Sequence, residues 1–167
     1  MELLKFNQPL SNSLASLTSL THLIFKGIFN QSLTNSLESL ILLSHLSLSI
    51  NFNQKDDLPT NIKSLTIDCN NLFYIDFLPY GIEEIKLGII FNLELDNLPS
   101  SIKKISFFKG SNYNKELNCL PNKLEILELP ERYNLQIKNI PKGLKKLICP
   151  KYYSFIKDFA GLEVEAY

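Results

Sequence analysis

The chain has 167 residues, of which 45% are hydrophobic, and its 17 basic and 17 acidic residues give a formal net charge of zero. This apolar fraction is enough to form a packed core, so the chain is not predicted to be disordered. A nucleic-acid partner is disfavoured because binding phosphates requires a basic surface.

The cysteines and the N-terminus indicate where the protein resides. The three cysteines, Cys69, Cys119 and Cys149, are far apart and form no C-x-x-C motif, which fits a reducing compartment better than a disulfide framework. The N-terminus lacks the basic and apolar regions of a signal peptide. The most apolar stretch, residues 37–50, is too short and too interrupted by polar residues to span a bilayer. We therefore expect a cytoplasmic or nuclear protein with no membrane partner.

The template L-x-x-L-x-L recurs about every twenty residues along the chain. Its copies begin at Leu20, Leu43, Ile62, Ile82, Ile102, Leu124 and Leu144, and a degenerate copy follows Leu162. In a strand, the fourth and sixth template residues point to the same face, so both would face the core. This period predicts a repeat solenoid with one parallel β-sheet. We expect residues 1–167 to form a single solenoid of about eight coils of 18–23 residues.

The segment between strands carries two further repeating signals. An aromatic-Asn pair occurs once per repeat, at Phe6-Asn7, Phe29-Asn30, Phe52-Asn53, Phe91-Asn92, Tyr113-Asn114 and Tyr133-Asn134, with Phe73-Tyr74 and Tyr153-Ser154 in the same position. These pairs predict a column of stacked rings and asparagine amides that hydrogen-bond turn backbone. Leu-Pro or Ile-Pro precedes the later strands and predicts a turn. The back should therefore consist of turns and extended pieces, with a helical turn only in the first two coils, where leucines are three or four residues apart.

The residue after the first template position alternates in charge from the third coil onward. The series is Lys63, Glu83, Lys103, Glu125, Lys145 and Glu163. Because neighbouring parallel strands lie about 4.8 Å apart, each charge would lie between two opposite charges. The pattern predicts an ion-pair ladder that opposes slippage by one coil. The alternative is coincidence in a chain rich in Lys and Glu.

These combined signals resemble the FNIP repeat family, a relative of leucine-rich repeats. The clearest copies are Phe6-Asn7-Gln8, Phe29-Asn30-Gln31 and Phe52-Asn53-Gln54, the last followed by Leu58-Pro59. The resemblance implies a protein-interaction module, since such repeats often follow an F-box that links them to ubiquitin ligases. We expect no F-box before Phe6, so a role in substrate recognition would require another polypeptide to supply the ligase link.

The sequence contains no recognisable catalytic, cofactor-binding or metal-binding residues. His22 and His45 occupy the same template position in adjacent coils and should stack on the exposed face of the sheet, but no third metal ligand matches them. Cys149 takes an inward position filled elsewhere by Leu, Ile or Phe, which favours packing over nucleophilic chemistry. We therefore expect a protein that is not an enzyme and that needs no cofactor.

The outward strand positions of the later coils are the candidate partner-binding residues. They combine apolar and charged side chains, as an interface does, and comprise Glu84, Lys86, Lys104, Ser106, Phe108, Ile126, Glu128, Lys146 and Ile148. The alternative is ordinary exposure of apolar residues on a thin solenoid. A second hypothesis is a structural protein that self-associates through uncapped end coils. A third is a fragment of a larger FNIP protein.

Overall fold

The computed structural model describes residues 2–3, 6–55, 58–69 and 73–167. Within those ranges, nine parallel strands form one sheet in which the strand order follows the chain. The strands are β1 (Glu2–Leu3), β2 (His22–Phe25), β3 (His45–Leu48), β4 (Ser64–Ile67), β5 (Glu84–Leu87), β6 (Lys104–Phe107), β7 (Ile126–Glu128), β8 (Lys146–Cys149) and β9 (Glu163–Ala166). The predicted solenoid with one parallel sheet is confirmed.

The register of the sheet places the template residues in columns. Leu46 pairs with Leu65, and Leu65 pairs with Ile85, so the fourth template residue of each coil lies beside its counterpart in the next. These side chains are at most 2% exposed. Each fully buried Leu or Ile contributes roughly 1.5–3 kcal/mol relative to its exposed state, which explains why the apolar template positions dominate the fold.

The predicted column of stacked rings is present on the other side of the core. Phe6, Phe29 and Phe52 stack in parallel with ring centroids 6.0 Å apart. Tyr113 continues the column, 6.1 Å from Phe91, followed by Tyr133 and Tyr153 at similar spacing. The side chains of Phe73 and Tyr74, predicted to occupy the same position, lie outside the described residues.

The asparagines of this series form a hydrogen-bonded ladder. Asn30 donates its backbone N–H to the Oδ1 of Asn7 at 2.9 Å, and Asn53 donates to Asn30 in the same way at 2.8 Å. The side chain of Gln54 also donates to the Oδ1 of Asn30, at 2.9 Å. Each asparagine oxygen therefore satisfies turn backbone that neither helix nor sheet would satisfy, which explains why Phe-Asn-Gln recurs.

The prolines shape the turns that enter the strands. The carbonyl of Pro59 accepts the N–H of Ile62, and that of Pro99 accepts the N–H of Ile102, each at 3.2 Å. Pro79, Pro121 and Pro141 accept equivalent bonds. Because proline fixes φ, it favours this turn and prevents a helix from running into the strand.

The helical turns predicted for the first two coils are not present as helices. Residues 10–20 and 33–43 instead form successive turns in which a carbonyl, that of a leucine in every case except Asn12, accepts the N–H three residues ahead. Ser11 and Asn35 adopt positive φ values of 45° and 61°, which interrupts helical geometry. The helices assigned among the described residues are α1 (Phe73–Asp76) and a 3₁₀ helix at Ile156–Phe159.

The predicted charge ladder forms at three of its five steps, and among the described residues neither Lys103–Glu125 nor Lys145–Glu163 is an ion pair. Glu83 lies 3.6 Å from Lys63 and 2.7 Å from Lys103, and Glu125 lies 2.7 Å from Lys145. Lys145, and at longer range Lys103, lower the pKa of the Glu125 carboxyl.

The last step was predicted in the wrong register. Glu163 pairs with Lys146 rather than Lys145, because the final strand is shifted by one residue relative to the template. Val164 therefore pairs with Leu147, and Leu162 does not occupy the first template position.

Candidate functional site

The sheet places the predicted partner-binding residues on one face, in rows that cross β5 to β8. Glu84 pairs with Lys104, Lys104 with Ile126, and Ile126 with Lys146, so these four form one row. The next row contains the pairs Lys86–Ser106 and Glu128–Ile148, and Phe108 directly follows β6. Because alternate strand residues share a face, one surface brings these side chains together.

Ser106 is the exception to the predicted exposure, since it is only 5% exposed. Its register partner, Lys86, extends its ammonium over the Phe108 ring, 4.7 Å from the ring centroid. Because Ser106 is buried, it offers little surface to a partner.

Three of the predicted residues, Phe108, Glu128 and Ile148, line a common groove of 230 Å³. The other lining residues are Phe107, Lys109, Leu129, Glu165 and Tyr167. The hydroxyl of Tyr167 donates to the carbonyl of Leu129 at 2.8 Å, which anchors the tyrosine at the end of β7. Ile126 does not line this groove but lies in the neighbouring row.

Sequence reasoning missed Tyr167, Glu165 and Lys109. Tyr167 and Leu129 are 38 positions apart in the chain, and the last coil matches the template poorly. The alternation of residues in β9 could have indicated Glu165, but only in the corrected register.

The charged side chains of this region differ in how they are neutralised. Lys146 lies 2.8 Å from both Glu163 and Glu165, and its hydrogen bonds to these carboxylates raise its pKa. Glu128, by contrast, is half-buried and forms no ion pair within the part of the chain that the structure describes. Burial, and then the negative charge of Glu128, raise the pKa of Tyr167.

Phe108 also borders a second groove, of 260 Å³, on the side of the earlier coils. Thr66 and Asp68 line it together with the ends of β2 and β3. Gly88, which follows β5, packs closely against Asp68, since a Cβ at this position would overlap the side chain and the backbone of Asp68. Phe108 therefore stands between two grooves on the same face.

The predicted histidine stack is confirmed. The rings of His22 and His45 are nearly parallel, at 9°, with centroids 3.9 Å apart. The hydroxyls of Thr21 and Ser44 lie 2.9 Å from the Nδ1 atoms of the adjacent histidines. Among the described residues, no three His, Cys, Asp or Glu side chains are grouped so that they could hold a metal ion.

The cysteines are all free. Cys149 is fully buried in the inward position predicted for it, and burial raises the pKa of its thiol. A hydrogen bond with Asp96 raises the pKa of the exposed Cys119 thiol. A raised thiol pKa disfavours the reactive thiolate. In the part of the chain covered by the structure, no helix has the length and apolarity to cross a bilayer.

Comparison with known proteins shows that part of the chain matches a family of sequence repeats. A family model described as FNIP Repeat matches residues 52–89 and 91–132. The crystal structure of a circular leucine-rich-repeat protein, CroV588, is similar at 22% sequence identity, with a TM-score of 0.45; the match covers 91% of this chain and 30% of that protein. No curated protein matches the chain.

Proposed function

Because residues 52–89 and 91–132 of this chain are FNIP repeats, we propose that it is a non-catalytic protein–protein interaction module that binds its partner on the sheet face of β5–β8. Repeat solenoids with a continuous sheet are typical interaction modules because each coil adds surface without adding a pocket. The observation that carries the proposal is the groove in which Phe108 and Ile148 remain partly exposed beside Glu128.

The composition of this face supports an interface. Its outward side chains are free to vary because the inward ones supply the core. Phe108, Ile126 and Ile148 are half-buried and lie among charged residues, which is the arrangement of an apolar centre with a polar margin. Aromatic side chains such as Phe108 contribute a large contact area at interfaces.

The FNIP resemblance extends the proposal to substrate recognition in a ubiquitin-ligase pathway. In that case a partner captured by the face would also be ubiquitylated in cells. Its half-life would lengthen when the face is altered.

A pull-down from host-cell lysate tests the interaction module. The test variant combines Lys104→Glu, Phe108→Ser, Ile126→Ser and Ile148→Ser. The matched control combines Ile41→Ser and Tyr80→Ser, which replace residues that are 71% and 83% exposed in the turns preceding β3 and β5. Both variants must retain the far-UV circular dichroism of the native chain.

A partner lost by the test variant and retained by the control supports the proposed face. Equal recovery by both variants refutes that face. If the chain captures only further copies of itself, the self-associating structural protein becomes the better explanation.

A further inference from the structure

The half-buried carboxylate of Glu128 is the feature of the groove that points to a specific ligand chemistry. Glu128 pairs with Ile148 across the strands and shares the groove with Phe108 and Tyr167. A carboxylate among apolar side chains loses part of its hydration, which costs free energy. A cation that donates hydrogen bonds to the carboxylate compensates for this cost. Among the described residues, no cation is paired with it.

The other charges that line the groove leave this carboxylate available. Glu165 already has a cationic partner, because it lies 2.8 Å from the ammonium of Lys146, which it shares with Glu163. Lys109 lines the groove but is exposed, and it forms no ion pair with Glu128 in the described structure. Solvent screens an exposed ammonium more effectively than it screens a half-buried carboxylate.

The aromatic residues favour the same kind of ligand. The Phe108 ring already carries the ammonium of Lys86 over one face, at 4.7 Å, which shows that the ring is placed to accept a cation. The second ring, that of Tyr167, is anchored by its bond to Leu129. Aromatic rings beside a carboxylate are suited to planar cations, since the rings attract the charge and the carboxylate accepts two hydrogen bonds.

We propose that the groove between Phe108, Glu128, Ile148 and Tyr167 binds an arginine side chain of the partner, with Glu128 accepting hydrogen bonds from the guanidinium and Ile148 contacting an adjacent apolar residue. This inference rests on the proposed function, because it names the partner chemistry that the same face recognises. The volume of the groove, 230 Å³, admits a single long side chain rather than a folded element.

Nuclear magnetic resonance titration of the full isotope-labelled chain tests the inference directly. The two test peptides are acetyl-Leu-Arg-Leu-Ile-amide and its citrulline analogue, which keeps the shape of arginine but removes the charge. We expect saturable shifts of the Lys109 and Leu129 amide signals with the arginine peptide only. The affinity should fall about tenfold or more in Glu128→Gln, since a charge-assisted hydrogen bond is lost.

Glu131→Gln is the matched control, because Glu131 is an exposed carboxylate of the same coil that does not line the groove. This variant should bind the arginine peptide as the native chain does. Equal binding of the citrulline peptide, retained binding by Glu128→Gln, or no saturable shift at all would overturn the inference. So would shifts that depend on protein concentration alone, since these would make a second copy the occupant.

The pull-down separates failure of this inference from failure of the proposed function. If Phe108→Ser loses the partner while Glu128→Gln retains it, the interaction face stands and the arginine site does not. If neither variant changes partner recovery, both proposals fail.

Discussion

Replacing Tyr113 with phenylalanine should stabilise the protein. Tyr113 is 2% exposed, and its hydroxyl has no hydrogen-bond partner among the described residues. Its ring lies between those of Phe91 and Tyr133, at 6.1 and 6.2 Å. Burial of this hydroxyl raises the pKa of Tyr113 well above its usual range, which indicates the same loss of hydration.

The size of the expected stabilisation follows from the free-energy cost of burying a hydroxyl that has no hydrogen-bond partner. Leaving a buried polar group unsatisfied costs about 1–3 kcal/mol, whereas removing the group without leaving a cavity avoids that cost. Phenylalanine already occupies the same position of the column at Phe29, Phe52 and Phe91, so the ring fits. We expect Tyr113→Phe to raise the free energy of unfolding by about 1–2 kcal/mol.

Tyr153→Phe is the matched control in the same column. The hydroxyl of Tyr153 donates to the carbonyl of Leu135 at 2.9 Å, and burial raises its pKa to about 12. Removing this hydroxyl deletes a hydrogen bond and leaves the carbonyl without that donor. We expect a loss of about 0.5–1.5 kcal/mol, opposite in sign to the effect of Tyr113→Phe.

Urea denaturation followed by far-UV circular dichroism measures both effects, provided that the m value is unchanged. In thermal unfolding, a change of about 1 kcal/mol in the free energy of unfolding shifts Tm by roughly 2–4 °C for a chain of this size. If both variants change stability in the same direction, hydroxyl pairing does not govern this column, and the reasoning is refuted.

Three further predictions concern other contacts between coils. Gly88→Ala should destabilise the protein by more than about 2 kcal/mol, because its Cβ would overlap Asp68; an unchanged urea midpoint would contradict this. Asn30→Ala should cost about 1–3 kcal/mol in urea denaturation, since backbone and side chain of the next coil lose their acceptor, and native stability would show that the asparagine ladder is dispensable. Hydrogen bonding to Lys103 lowers the pKa of Glu83, so its stabilising effect is present above the unfolded-state pKa and is lost as the pH falls through the lowered value. Stability measured against pH should therefore fall less steeply in acid for Glu83→Gln, and identical profiles would exclude a contribution from this ion pair.

Much of the fold can be predicted from the sequence because the coils stack in chain order. Residues that recur with the repeat period therefore contact one another in the structure. Residues in the same template position become neighbours in adjacent strands. The inward leucine columns, the stacked rings, the His22–His45 pair and the alternation from Lys63 to Lys145 could all be predicted by aligning the repeats. The asparagine ladder could be predicted only in outline, since the sequence did not show which backbone group each amide would meet.

Features in which one coil differs from the others could be seen only in the tertiary structure. The shift that pairs Glu163 with Lys146 arises in the last coil, where the template is too degenerate to define register. Ser106 is buried although its template position faces outward, and Lys86 extends over the Phe108 ring. The spacing of the repeats encodes neither this burial nor the direction of the lysine side chain. The groove depends on Tyr167 meeting Leu129. Such contacts join positions that are not equivalent in the repeat, so periodicity alone cannot predict them, and only the packed coils bring them together.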